Sequence, residues 1–210
     1  MTRVALLDYG MGNLRSVEKA LERVGARPEI TVDAERARDA DGVVLPGVGA
    51  FPPAIARVRE LGFDALIAER VSASAPVLGV CLGMQLLFER STEQGGAEGL
   101  GVFKGEIREL PAPGLKLPHI GWEPVSWEDD SELVEGIPSG TPFYFVHSFA
   151  PDEVGEADVL GTAAHGELFV CAVGRDRVWG FQCHPEKSSD AGLRLYANFV
   201  RVCASVGTNA

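Results

Sequence analysis

The chain has 210 residues, of which 46% are hydrophobic and 23% charged, enough for one large folded domain with a sizeable core. Its 30 acidic side chains outnumber 19 basic ones, giving a formal net charge of −11, which argues against nucleic acid or an anionic membrane as the main partner. No apolar run approaches the ~18 residues that cross a bilayer, and the short run Val4–Leu7 meets Asp8 too soon for a signal peptide. The cysteines Cys81, Cys171, Cys183 and Cys203 show no CxxC and no framework spacing. Reduced thiols and a cytoplasmic protein are therefore expected. Cys183 and His184 are adjacent, so on a strand they face opposite ways and chelate poorly. Neither a metal nor a cofactor is expected.

The first strand runs from Arg3 to Asp8 and ends in the loop Tyr9-Gly10-Met11-Gly12-Asn13. The glycine pair lacks the third glycine of a dinucleotide motif and reads as a tight turn. A helix follows from Leu14 to Val24, with Leu14, Val17, Leu21 and Val24 on one apolar stripe and Gly25 at the stop. Pro28–Val32 and Gly42–Leu45 are short strands. The second runs into Pro46-Gly47-Val48-Gly49-Ala50-Phe51, and Ala54 to Arg70 is one or two helices broken near Gly62. Pro76–Val80 is an apolar strand and Met84–Glu89 a helix. This alternation predicts an α/β fold: a flavodoxin-like, doubly wound, mainly parallel sheet with helices on both faces. In such sheets the site lies outside the carboxyl ends of the strands. After Glu89 the texture changes. A polar, glycine-rich loop spans Ser91–Gly101, and an antiparallel portion follows, with strands near 106–110, 143–147, 168–173 and 177–183. Asp190 to Cys203 closes the chain as a helix with Leu195, Phe199 and Val202 on one face.

The chemistry concentrates at Gly79-Val80-Cys81-Leu82-Gly83. The glycine-x-nucleophile-x-glycine spacing is that of a nucleophile elbow, where side chains two positions either side of the tip would clash. The new helix points its positive end at Cys81, which favours a reactive thiol over a buried structural one. On a neighbouring strand, the Gly47-Val48-Gly49 backbone is a candidate oxyanion hole. A base is needed, and there are 4 histidines. His165 sits in an exposed, turn-like Ala-His-Gly. His119 follows Pro118, and His147 ends a strand. His184 ends an apolar strand and precedes Pro185-Glu186. Residues two apart in extended chain face the same way, so Glu186 can orient the ring.

The elbow, through Met84 and Gln85, together with His184-Pro185-Glu186, resembles the class I (triad) glutamine amidotransferases over nearly the whole chain. Within them, Asp8–Asn13, Pro46–Phe51, His119–Trp122, Tyr144–Ser148 and His184–Ser189 resemble the glutaminase subunits of imidazole glycerol phosphate synthases. At Ser148-Phe149 many relatives carry Thr and Tyr. The resemblance implies one amidotransferase domain over residues 1–210 that hydrolyses glutamine through a cysteinyl thioester. Its catalytic set would be Cys81, His184 and Glu186. The Leu82 amide would join Val48 and Gly49 as oxyanion donors, and Gly47, Gln85, Glu93, Ser148 and Phe149 would meet the substrate. It further implies a heterodimer with a (β/α)₈-barrel cyclase that receives ammonia through a channel in histidine biosynthesis. Asn13, Trp122, Tyr144 and Lys187 are the interface candidates. A glutaminase of a pyridoxal phosphate synthase, a stand-alone cysteine hydrolase and a non-catalytic binding module of the same fold stand as alternatives.

Overall fold

Residues 1–206 are described by the structure, a computed structural model. The first half alternates: β1 (Arg3–Leu7), α1 (Leu14–Arg23), β2 (Arg27–Thr31), α2 (Ala34–Arg38), β3 (Gly42–Gly47), α3 (Phe51–Glu60), α4 (Phe63–Ser72), β4 (Val77–Cys81) and α5 (Leu82–Leu86). Short strands then dominate: β5 (Phe88–Ser91), β6 (Ala97–Glu98), β7 (Phe103–Glu109), β8 (His119–Trp127), β9 (Thr141–His147), β10 (Phe149–Asp152), β11 (Val159–His165), β12 (Glu167–Arg175) and β13 (Val178–Phe181). The helix α6 (Ser189–Val206) ends the described chain.

The main sheet has 9 strands in the order β2-β1-β3-β4-β13-β12-β11-β8-β9. Its first part is parallel through β13, and the rest is antiparallel. A smaller sheet of 4 strands, β10-β7-β5-β6, packs beside it. The pleat explains the two layers. In β1, Val4 and Leu6 enter one core with Val17 and Leu21 of α1 and with Leu195, Tyr196 and Phe199 of α6. Ala5 and Leu7 enter the other, with Phe51, Ile55 and Val58 of α3 and Phe63 and Leu66 of α4. The inner strands β1, β3, β4 and β13 are thus buried on both faces, as parallel strands under helices must be, while the edge strand β2 is mostly half-exposed. The apolar side chains so covered contribute about 1.5–3 kcal/mol each when fully buried.

Two expectations are corrected, and one helix was not anticipated. The helix expected over Met84–Glu89 is the five-residue α5, because Phe88 turns into β5. There it is fully buried against Phe103, to which it is paired in a parallel ladder with β7. That ladder also makes the added portion not purely antiparallel. Ala34–Arg38 form a further helix, α2, whose N-cap Asp33 accepts from the amides of Glu35 and Arg36. Gly62 separates α3 from α4 as expected, in a left-handed conformation with φ 71°.

Candidate active site

Cys81 is the last residue of β4 and stands at φ 54°, ψ −111°, with α5 starting at the next residue. The flanking glycines make that turn feasible. A Cβ on Gly79 would lie 2.8 Å from the Gly83 carbonyl oxygen and the Met84 nitrogen. A Cβ on Gly83 would lie 1.7 Å from the Leu45 carbonyl oxygen. The elbow is therefore folded against itself and pressed onto β3 at once.

Because β13 runs parallel beside β4, with Phe181 level with Val80, the chain beyond β13 emerges next to Cys81. There the His184 ring shares the wall of one cavity with the thiol and places Nδ1 2.8 Å from Glu186 Oε1. The His184 and Glu186 side chains are buried to 2% and 0% exposure. Glu186 is held in turn by the Asn13 amide and, at 3.4 Å, by the Tyr196 hydroxyl. Asn13, one of the interface candidates, is half-buried and turns its side-chain amide to the carboxylate from a left-handed backbone with φ 64°. Ser188 Oγ donates to the His184 carbonyl at 2.7 Å and accepts from the Tyr144 amide at 3.0 Å, fixing this segment to β9.

Burial opposes charge on His184, but its hydrogen bonds to and the charges of Cys81 and Glu186 outweigh that and raise its pKa from 6.5 to about 9. The folded value lies above the unfolded one. The pairing therefore stabilises fully below pH 6.5 and is lost as the pH rises through about 9. The stability difference between the wild type and His184→Gln is expected to shrink across that window in urea melts at successive pH. A difference that stays flat or grows would overturn this assignment.

A cavity of about 250 Å³ opens over the thiol. Val48, Gly49, Leu82, Gln85, Glu93, Ser148, Phe149 and Lys187 all border it with Cys81 and His184. A larger cleft of about 830 Å³ along residues 127–139 has neither cysteine nor histidine in its wall and offers no comparable chemistry. Several expected residues have duties of their own. The Val48 amide donates to the Met11 carbonyl at 2.9 Å, so its hydrogen is spent on the β1–α1 loop and not on the cavity. Leu82 is the first residue of α5, where an amide has no partner within its own helix. One Glu93 oxygen accepts from the Phe51 amide at 2.8 Å at the start of α3. The Gln85 amide nitrogen donates to Phe149 O at 3.0 Å and Gln182 Oε1 at 2.9 Å, so it ties β10 to the elbow. Gly47 is level with Cys81 in the ladder but outside the cavity wall, and a Cβ there would strike the Tyr9 hydroxyl at 1.9 Å.

Three neighbours escaped the sequence reading. Gln182 is wholly buried, and its amide nitrogen lies 3.7 Å from Cys81 Sγ. It stands two residues before His184, so strand alternation places both on one face. His147 backs the cavity, and burial pushes its ring down to about 4. Tyr9 is 2% exposed and its hydroxyl has no hydrogen-bond partner among the described residues. Burial first, then the Cys81 charge, pushes its pKa up. Removing an unsatisfied buried hydroxyl leaves no partner orphaned. Tyr9→Phe is expected to hold or raise stability by up to about 1 kcal/mol in denaturant melts. A clear loss would reveal a partner for that oxygen.

The outer face at this edge is apolar. Ile120 and Trp122 are 60% and 50% exposed on β8. Trp122 packs edge-on to Tyr144, and the Lys187 ammonium lies 5.8 Å from the Tyr144 ring centre.

The geometry is that of a thiol with a carboxylate-backed histidine at the wall of one cavity. The family profile of glutamine amidotransferase class-I matches residues 5–203. The imidazole glycerol phosphate synthase subunit HisH of Aquifex aeolicus (strain VF5) is 47% identical over 208 residues, covering 98% of this chain and 100% of that protein. The subunit of the same name from Moorella thermoacetica is 45% identical over 207 residues, covering 99% and 98%. Among solved structures, one titled glutamine amidotransferase superposes with a TM-score of 0.76 at 21% identity, covering 96% of this chain and 98% of that one. PurLQS from Thermotoga maritima gives 0.76 at 18% identity, covering 95% and 98%. Both show the fold alone. A conserved architecture, an elbow cysteine and a histidine–glutamate pair in one cavity, and near-complete coverage by the family profile lead to one conclusion: the chain belongs to the class-I glutamine amidotransferases.

Proposed function

We propose that this chain is the glutaminase subunit of an imidazole glycerol phosphate synthase, acting in the cytoplasm as one domain over residues 1–210. Cys81 attacks the side-chain amide carbon of glutamine, and His184 takes the thiol proton. The tetrahedral intermediate collapses to a γ-glutamyl thioester as His184 passes that proton to the departing nitrogen, releasing ammonia. Water, deprotonated by the same ring, then attacks the thioester carbon. Glutamate leaves and the thiol is restored. Glu186 holds the ring in the right tautomer and supports it when charged. Leu82 and the Val48–Gly49 segment supply the oxyanion donors, while Gln85, Glu93, Ser148 and Phe149 shape the glutamine site. The observation that carries this reading is the meeting of Cys81 and His184, backed by Glu186, at the wall of one cavity.

Ammonia released into water would be protonated and lost as a nucleophile, so a partner must receive it directly. We assign that role to a (β/α)₈-barrel cyclase forming a heterodimer on the Trp122–Tyr144–Lys187 face. The exposed Ile120 and Trp122 give this face the apolar character of an interface centre. The test uses the complex with two nitrogen sources. Cys81→Ala should abolish ring closure with glutamine and leave it intact with ammonium salts. Loss of both, or of neither, overturns the assignment.

A further inference from the structure

A chain of buried amides behind the elbow ends on the sulfur of Cys81. Gln182, the residue after β13, is fully buried, and its side-chain nitrogen lies 3.7 Å from Cys81 Sγ. We propose that Gln182 is a further catalytic residue, whose amide donates to Cys81 Sγ and stabilises the thiolate that attacks the substrate carbon. The role rests on the reading of Cys81 as the nucleophile.

The oxygen and nitrogen of a glutamine amide have nearly the same shape, so the neighbours decide which of them faces the sulfur. A main-chain carbonyl makes the choice. Phe149 O can only accept, and the Gln85 side chain meets it at 3.0 Å, so Gln85 presents its NH₂ group there. His147 Nδ1 meets the same oxygen at 2.9 Å and helps to hold it in place. The Gln85 nitrogen also meets the Gln182 amide, at 2.9 Å, so the Gln182 atom on that side is Oε1. The atom on the other side, toward the sulfur, is therefore the nitrogen. Turning the Gln182 amide over would set two NH₂ groups against each other in the core and point an oxygen at the thiolate.

This contact acts where charge changes. A neutral thiol is a weak acceptor. Once His184 has taken the proton, the same N–H faces a negative charge, and charge-assisted hydrogen bonds are about twice as strong. The gain is larger for the thiolate than for the thiol, so the donor raises the thiolate share at a given pH. The Val146 carbonyl oxygen, 3.9 Å from the same sulfur, can only accept and does nothing for the thiolate. Gln182 also lies behind the cavity wall and not in it, so it holds the sulfur without taking space from a substrate.

The test follows alkylation of Cys81 by iodoacetamide against pH in the full chain, read on the Cys81 peptide by mass spectrometry. Gln182→Met and Gln182→Leu keep the bulk and remove the donor, and melts check that each is folded. In both, the alkylation profile should move to higher pH by about one unit, the scale of one hydrogen bond to a charged group. The rate on the high-pH plateau should not fall; altered packing or access would lower the plateau and leave the midpoint in place. A second measurement leaves Gln182 unchanged. One of its two side-chain amide protons should move downfield in NMR spectra as the pH crosses the alkylation midpoint, and should stay still in Cys81→Ala. An unshifted profile in a folded variant, or an amide signal indifferent to the state of Cys81, overturns the role. A Cys81→Ala chain that still hydrolyses glutamine would sink the nucleophile reading, whereas an unshifted profile sinks the donor alone.

Discussion

Cys81→Ala is expected to reduce glutamine hydrolysis by at least about 10⁴-fold, the scale seen when a covalent nucleophile is removed from a triad. The size follows from the wall of the cavity. Cys81 is the only thiol among the residues that line it. His184→Ala should cost a similar factor, because the two residues act as one unit and their losses do not add. Glu186→Gln should cost less than either, since Asn13 and Tyr196 still bracket the side chain while the charge that supports the imidazolium is gone. Single-turnover assays of thioester formation would measure all three. Hydrolysis surviving in Cys81→Ala at more than a hundredth of the wild-type rate would refute a thioester route.

The second large effect concerns the partner. Glutaminase turnover by the isolated chain is expected to be slow, and to rise by about 10²–10³ when the cyclase binds with its acceptor ligand, the range associated with one oxyanion donor. The reason is the Val48 amide. Its hydrogen bond to Met11 O takes that hydrogen away from the reacting carbonyl. Rotating the Gly47–Val48 peptide would free it, and Gly47, which bears no side chain at one end of that peptide, lowers the cost of the turn. A partner that favours the rotated form shifts the population toward the active one. Met11 belongs to the same loop as Asn13, so the segment that restrains Val48 also touches the Glu186 carboxylate. Steady-state assays with and without the cyclase and its ligand decide the matter. Equal turnover in all conditions would refute the restraint.

The parallel half of the fold was legible because its strands are apolar runs that end in glycine or acidic loops, and because Val17 and Leu21 mark a stripe on α1. The grouping of Cys81, His184 and Glu186 was legible because the cysteine lies between two register-bound glycines and the histidine lies two residues from a carboxylate. What escaped did so for physical reasons. The sequence Ala34-Glu35-Arg36-Ala37-Arg38 has no large apolar residue, so α2 shows only its Asp33 cap. Leu86-Leu87-Phe88 continues a helical composition, and only pairing with distant β7 pulls Phe88 into a strand. Asn13 reaches Glu186 across 173 positions, which no local pattern encodes. Gln182 was within reach: the alternation that located Glu186 beside His184 applies equally two residues earlier. His165 was misjudged because a strand end followed by glycine looks like any exposed turn until His119 is seen beneath it.

The backbone of Cys81, at φ 54° and ψ −111°, occupies a region where a side chain is disfavoured by about 1–3 kcal/mol. Glycine would sit there without strain. Cys81→Gly would therefore yield a sturdier protein with no chemistry left in it. The sulfur is kept at the expense of robustness, and the surplus firmness of the surrounding strands is what tolerates the debt.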